Sequence, residues 1–131
     1  MAVQILKNKG AIVTAVARQR HHDFLLGIGA DRVLDYQAPN FATDTTTYDV
    51  IFDAVGKIDK KLAKKKLQNN EKFLTVGSLD VAKETLADLE EVVTWYENGQ
   101  LKAVIDKEYD FDDIVAAHHY LDTNSWILHL N

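Results

Sequence analysis

The stretch Gly10–Tyr36, GAIVTAVARQRHHDFLLGIGADRVLDY, constrains the fold more than any other part of this chain. Its apolar run Ile12–Ala17 does not alternate with polar residues, which predicts a strand buried on both faces. After Arg18-Gln19-Arg20, the residues Phe24, Leu25 and Ile28 fall at helical spacing. Gly29 supplies a left-handed stop, and Arg32–Tyr36 resumes as a second strand. A strand, a helix and a strand with short joints make a crossover, and crossovers build parallel sheets. The two arginines stand where the first strand runs out, the end at which open α/β sheets hold their ligands.

Composition narrows the classes. A chain of 131 residues suits one domain with a single core, so residues 1–131 are expected to form one. At 47% hydrophobic and 27% charged it reads as an ordinary globular protein. The absence of cysteine removes disulfides, thiolate metal sites and cysteine nucleophiles, and fits a reducing compartment; a cytoplasmic location is the expectation. No apolar run reaches membrane-spanning length, and MAVQILKNKG is too short for a signal peptide. A net charge of −5 argues against nucleic acid as the main partner.

In chain order, Met1–Lys9 reads as a helix with Ala2, Ile5 and Leu6 on one side, though no capping residue and no strand precede it. Gln37–Thr47 is loop-like, and Asp49–Val55 is a short buried strand closed by Gly56. Ile58, Leu62, Ala63 and Leu67 form one stripe of a helix whose other positions are mostly lysine, a solvated outer face. Asn69-Asn70 turn the chain into a strand Phe73–Val76 that ends at Gly77-Ser78. Thr85 and Asp88 suit a capping box for a helix with Leu86, Leu89, Val92, Val93 and Tyr96 inward. Leu101–Ile105 is a fifth strand candidate, Asp112 or Asp113 would cap a last helix through Leu121, and Trp126–Leu130 would be a terminal strand. Alternating strands and helices give an α/β layered domain.

Taken together, the strand ending in Ala17-Arg18, LGIGADRVLDY, YDVIFDAVG and KFLTVGS resemble, in order and spacing, the cofactor domain of medium-chain dehydrogenase/reductases. Within that superfamily, which includes the zinc-type alcohol dehydrogenases, the branch resembled is the zinc-independent quinone oxidoreductases. ENGQLKAVIDKEYDFDDIVAAHHYL is similar to the segment by which such enzymes return to their catalytic domain, so residues 101–131 are assigned to it. The resemblance implies a Rossmann-like parallel sheet flanked by helices, with NADP as cofactor. It implies that Ala17 occupies the position where NAD-specific relatives place an acid, and that Arg18 and Arg20 hold a 2′-phosphate. Tyr36 would stand beside that phosphate, Asp53 to Gly56 would run under the adenine side, and Val76, Gly77 and Ser78 would lie near the nicotinamide ribose.

The departures from the family are as informative. The Gly-rich phosphate loop, the first strand and the catalytic domain would lie upstream of Met1, and the connection between Ser78 and Thr85 is short. Without its first strand the sheet has two unpartnered apolar edges, each unpaired buried backbone group costing roughly 1–3 kcal/mol. The sheet could close on itself, Trp126–Leu130 could move in, or a second copy could supply a strand. The expectation is a homodimer through exposed sheet edges, with a separate polypeptide carrying the N-terminal catalytic half as another possible partner.

Plainer readings stand beside these. Arg18 and Arg20 also suit a solvated helix start, and Tyr36 a half-buried packing position. His21-His22 and His118-His119 are adjacent pairs that point two ways on a helix, so they read as surface or packing residues and no metal site is expected. Asp53 ends a strand as the phosphorylated aspartate of a receiver domain does, but the partner acids which that chemistry needs are not in the sequence. Asp88, Glu90 and Glu91 read as cap and surface, and no catalytic residue stands out. The functional expectation is the cofactor-binding portion of an NADPH-dependent quinone or enone oxidoreductase, inactive as an isolated chain and binding NADPH weakly. The alternative is a non-catalytic, self-associating α/β module, a truncated or vestigial reductase fragment.

Overall fold

A computed structural model describes residues 1–39, 41, 43–56, 58–76 and 85–123. The chain divides into two compact units, Met1–Asp35 with Glu84–Leu130, and Tyr36–Lys83 with Asn131. Each holds a pair of parallel strands joined through a helix, so the expected class, parallel sheet flanked by helices, is the one formed.

In the first unit, α1 (Ala2–Asn8) precedes β1 (Thr14–Val16). A single 3₁₀ turn, Gln19–His21, leads into α2 (His22–Gly27), and β2 (Arg32–Leu34) follows. Thr14, Ala15 and Val16 pair in parallel with Arg32, Val33 and Leu34. The strand is half-buried, not buried on both faces. Ala15 packs with Val3, Phe24, Ile28 and Val33 around Ala17, Leu25 and Ala30, while Ile12 is 89% exposed. Gly29 stops α2 with φ of +106°, letting Ala30 N–H reach back to the Leu25 carbonyl at 3.0 Å. Asp31 then ties three elements together. Its carboxylate accepts the Val13 N–H at 2.7 Å and pairs with the Lys7 ammonium at 2.8 Å, and its own N–H donates to the Val13 carbonyl.

α4 (Leu86–Glu97) starts at the expected cap, with the Thr85 half of the capping box formed. The Thr85 hydroxyl oxygen accepts the Asp88 N–H at 3.2 Å, and the hydroxyl donates to the Asp88 carboxylate at 2.5 Å. The apolar stripe of α4 is inward only at Val92, which is half-buried. Leu86, Leu89, Val93 and Tyr96 are exposed, Leu86 by 71%. The helix meets α1 through another face: Lys9 pairs with Glu91 at 2.9 Å and lies over the Trp95 ring. Residues 101–105 form no strand. The buried side chain of Gln4 on α1 takes the place of a neighbouring strand, its amide accepting the Lys102 N–H at 2.8 Å and donating to the Lys102 carbonyl at 3.1 Å. The last helix, α5 (Ile114–Thr123), follows a 3₁₀ turn at Phe111–Asp113. Asp112 and Asp113 lie in that turn, and Asp110 before it makes no side-chain cap bond. Tyr120 on α5 donates to Asp106 at 2.6 Å, and Lys107 lies over the rings of Tyr109 and Tyr120.

In the second unit, β3 (Tyr48–Asp53), α3 (Lys60–Lys66) and β4 (Leu67–Thr75) form the same kind of crossover. The pairing is parallel, with Tyr48 opposite Leu67 and then Val50 opposite Lys72 through Asp53 opposite Thr75. β4 therefore starts well before Phe73, and the expected Asn69-Asn70 turn is surplus chain within a register shift. Asp59 caps α3 by accepting the N–H groups of Lys61 and Leu62. Ala63 and Leu62 face inward as the stripe predicts, but Lys66 is buried as well. Its ammonium reaches the Asp44 carbonyl at 2.6 Å and lies over the Phe41 ring, so the lysine face is not wholly solvated. The proposed terminal strand Trp126–Leu130 lies outside the described residues.

Candidate functional site

The site in the first unit is made where β1 and β2 run out together. Ala17 continues the ladder, its N–H donating to the Leu34 carbonyl at 2.9 Å, and its methyl is buried in the core. Arg18 stays extended, with φ −65° and ψ 150°, and its carbonyl accepts the His21 N–H at 2.9 Å to start the 3₁₀ turn. That turn swings Arg18, Gln19, Arg20 and His21 across the strand ends. The Gln19 N–H donates to the Asp35 carboxylate at 3.1 Å, which fixes the turn to the end of β2. Arg18 and Arg20 are exposed, and the Arg20 Nε–H donates to His21 Nε2 at 2.9 Å. The His22 ring lies 3.3 Å from the Ala17 carbonyl.

This is an electropositive rim. Loss of water around the His21 ring holds its pKa below the ordinary histidine value, and the charges of Arg20, Arg18 and then His22 act in the same direction. In the same sense, His21 Nε2 accepts the Arg20 Nε–H hydrogen bond, which requires a lone pair on that nitrogen. A phosphate monoester needs charged donors at its oxygens and no carboxylate at the strand end. The buried Ala17 puts no acid at the end of β1, the two exposed guanidiniums supply the donors, and the carboxylate at the end of β2, Asp35, is engaged by the Gln19 N–H.

The second unit gathers Asp53, Gly56 and Val76. Asp53 is buried at the end of β3, and one carboxylate oxygen accepts the N–H groups of Val55 at 3.1 Å and Gly56 at 2.9 Å. The other accepts the Ile58 N–H at 2.9 Å. Both oxygens are thus engaged by backbone, which makes Asp53 the anchor of the loop after β3 and leaves no arrangement suited to aspartyl phosphorylation. Gly56 has φ of +74°, and a methyl group there would meet Thr75 and Val76 at ordinary contact distances. The Val76 N–H closes the group by donating to the Asp53 carbonyl at 3.2 Å. Tyr36 belongs to this unit and is exposed, whereas Gly77 and Ser78 lie outside the described residues.

His21, read from sequence as surface or packing, is half-buried; its hydrogen bond with Arg20 was signalled by their adjacency in RQRHH, since a neutral imidazole nitrogen is an acceptor beside a donor. Among the described residues, no group of three or more His, Cys, Asp or Glu is placed to hold a metal ion. Among the same residues, no helix is long and apolar enough to cross a membrane.

Known proteins give the site its context. The family model described as zinc-binding dehydrogenase matches residues 58–126. The chain is 29% identical over 121 residues to an NADPH-dependent alkenal/one oxidoreductase, chloroplastic, of Arabidopsis thaliana, covering 86% of this chain and 31% of that protein. It is 30% identical over 118 residues to a 2-methylene-furan-3-one reductase of Solanum lycopersicum, covering 85% of this chain and 30% of that one. Among solved structures, the quinone oxidoreductase from Coxiella burnetii superposes with a TM-score of 0.69 at 20% identity, over 93% of this chain and 44% of that one. The chain spans about a third of the length of the curated relatives it matches. On these grounds the chain belongs to the zinc-binding dehydrogenase family and corresponds to the C-terminal portion of medium-chain dehydrogenase/reductases.

Proposed function

We propose that this chain is the NADPH-holding portion of a reductase acting on alkenals, enones or quinones. The observation that carries the reading is the rim at the end of β1, where Ala17 leaves no acid and Arg18 and Arg20 stand exposed. An acid there would bond the free ribose hydroxyls of NAD, whereas alanine with arginines suits a 2′-phosphate. The NADPH dependence of the Arabidopsis relative supports the same choice. When bound, the nicotinamide supplies hydride to an electron-poor double bond or quinone. The residues of this chain would hold the other end: in the first unit Arg18 and Arg20 the 2′-phosphate, and in the second Tyr36 and the Asp53-anchored loop with Gly56 and Val76 as further cofactor contacts, each unit taken by itself. No residue of this chain is assigned to the chemical step, and the chain alone is expected to turn over no substrate and to bind the cofactor weakly.

Titration of the full chain with NADPH and with NADH, followed by calorimetry, tests this. NADPH should bind more tightly than NADH, and Arg18→Glu should raise its Kd about tenfold or more, the loss of one charge-assisted bond. Absence of NADPH binding at millimolar cofactor would refute it.

A second reading, a non-catalytic module that pairs with another copy, is favoured by the exposed apolar stripe of Leu86, Leu89, Val93 and Tyr96 on α4. Sedimentation velocity separates the two: a dimer dissociated by Leu89→Glu supports pairing, and a monomer at every concentration opposes it.

A further inference from the structure

We propose that His21 is a specificity-determining residue of the cofactor rim, taking up one proton when a 2′-phosphate binds and joining Arg20 as a donor to it. The inference rests on the cofactor reading above and assigns it a third ligand and a pH dependence.

The argument begins with the hydrogen bond between Arg20 Nε–H and His21 Nε2, 2.9 Å long. An imidazole nitrogen that accepts a proton donor carries a lone pair, so in the free chain this ring is unprotonated at Nε2. The bond directs that one donor of Arg20 onto its neighbour. A phosphate dianion arriving at the rim changes the balance of charges. Arg18 and Arg20 on its own turn and His22 at the start of α2 act on the ring, all disfavouring protonation. Asp35, at the end of β2, holds the same turn through the Gln19 N–H. Two negative charges placed among these cations favour the imidazolium. Once Nε2 carries a proton it can no longer accept from Arg20. The guanidinium N–H must then find another acceptor, and the phosphate oxygens supply one. Two groups that share a hydrogen bond in the free chain thereby become two donors to one anion, with the proton drawn from solvent. NADH, having no 2′-phosphate, offers no charge to drive the exchange.

The sign follows from linkage. A ring whose pKa rises on binding makes affinity strongest at low pH and weaker as pH climbs between the free and bound values. A phosphate monoester is a dianion above about pH 6, so the effect is read above that point.

The test measures the Kd of the full chain for 2′,5′-ADP and for 5′-AMP, which lacks only the 2′-phosphate, between about pH 6.5 and 8.5, with ring resonances followed by NMR. The wild-type Kd for 2′,5′-ADP should rise with pH by as much as about tenfold per unit at its steepest. The 5′-AMP curve should lack this rise, and the His21 ring should titrate at higher pH in the complex with 2′,5′-ADP. His21→Gln keeps an acceptor for Arg20 but cannot charge, so it should match wild type at the alkaline end and lose the gain below it. Equal slopes in wild type and His21→Gln, with an unmoved His21 titration, would overturn the proton linkage and leave the cofactor reading standing. If neither nucleotide binds at any pH and Arg18→Glu changes nothing, the cofactor reading falls and the linkage with it.

Discussion

Replacing Gly29 by alanine tests whether the first crossover is built as described. Gly29 has φ of +106°, a conformation that costs a residue bearing a Cβ about 1–3 kcal/mol. The added methyl would stand 3.3 Å from Lys7 Cγ, closer than an ordinary carbon contact. Lys7 can yield only by disturbing its 2.8 Å pair with Asp31 and its 3.0 Å bond to the Ala11 carbonyl. The sum is a loss of about 2–3 kcal/mol, dominated by the backbone. With a urea dependence of about 2 kcal/mol per molar, the unfolding midpoint should fall by about 1 M. Gly27 is the internal control. It ends α2 with a φ any residue adopts, and a methyl there meets nothing within 4 Å. Gly27→Ala should therefore be stabilising by about 0.4–1 kcal/mol through the lost freedom of the unfolded chain. Gly29→Asn should fall between, since asparagine tolerates positive φ better than alanine. Urea titrations followed by far-UV circular dichroism give all three midpoints. A Gly29→Ala midpoint at or above wild type, or one moving in the same direction as Gly27→Ala, would refute the argument.

Three other outcomes follow from local geometry. Thr85→Ala removes the cap of α4 and should lower stability by about 1 kcal/mol in the same titration, with Thr85→Ser close to wild type. The Asp31 carboxyl is held below the ordinary aspartate range, first by the Lys7 hydrogen bond and then by the Val13 N–H. A depressed folded pKa means its stabilisation is present above about pH 4 and lost as pH falls through the lowered value, so the midpoint gap between wild type and Asp31→Asn should close below that pH. Asp53→Asn points an NH2 group at one of three backbone donors, at a cost of roughly 1–3 kcal/mol. Hydrogen exchange at Val55, Gly56 and Ile58 should accelerate in that variant; unchanged protection would show that the carboxylate does not hold the loop.

Local patterning was enough to establish both crossovers, the Gly29 stop, the Thr85 cap and the two arginines at the end of β1. Each depends on residues adjacent or a few positions apart, where backbone geometry leaves few choices. The family was legible for the same reason, since its motifs are short and come in a set order. What sequence could not settle were the partners of each face. Leu86, Leu89, Val93 and Tyr96 form a helical stripe, but period alone does not say what covers it, and the structure turns Glu91 and Trp95 toward α1 instead. Leu101–Ile105 has strand composition, yet its neighbour is the amide of Gln4, 98 residues away from Lys102, and a side chain can satisfy the backbone as a strand would. Lys66 is one lysine among many until the Asp44 carbonyl and the Phe41 ring make it a buried contact. The 3₁₀ turn sets the His21 ring against Arg20, a contact that spacing alone does not specify. Periodicity and turn chemistry act over a few residues, whereas burial and the protonation of a ring are set by whatever the fold brings alongside.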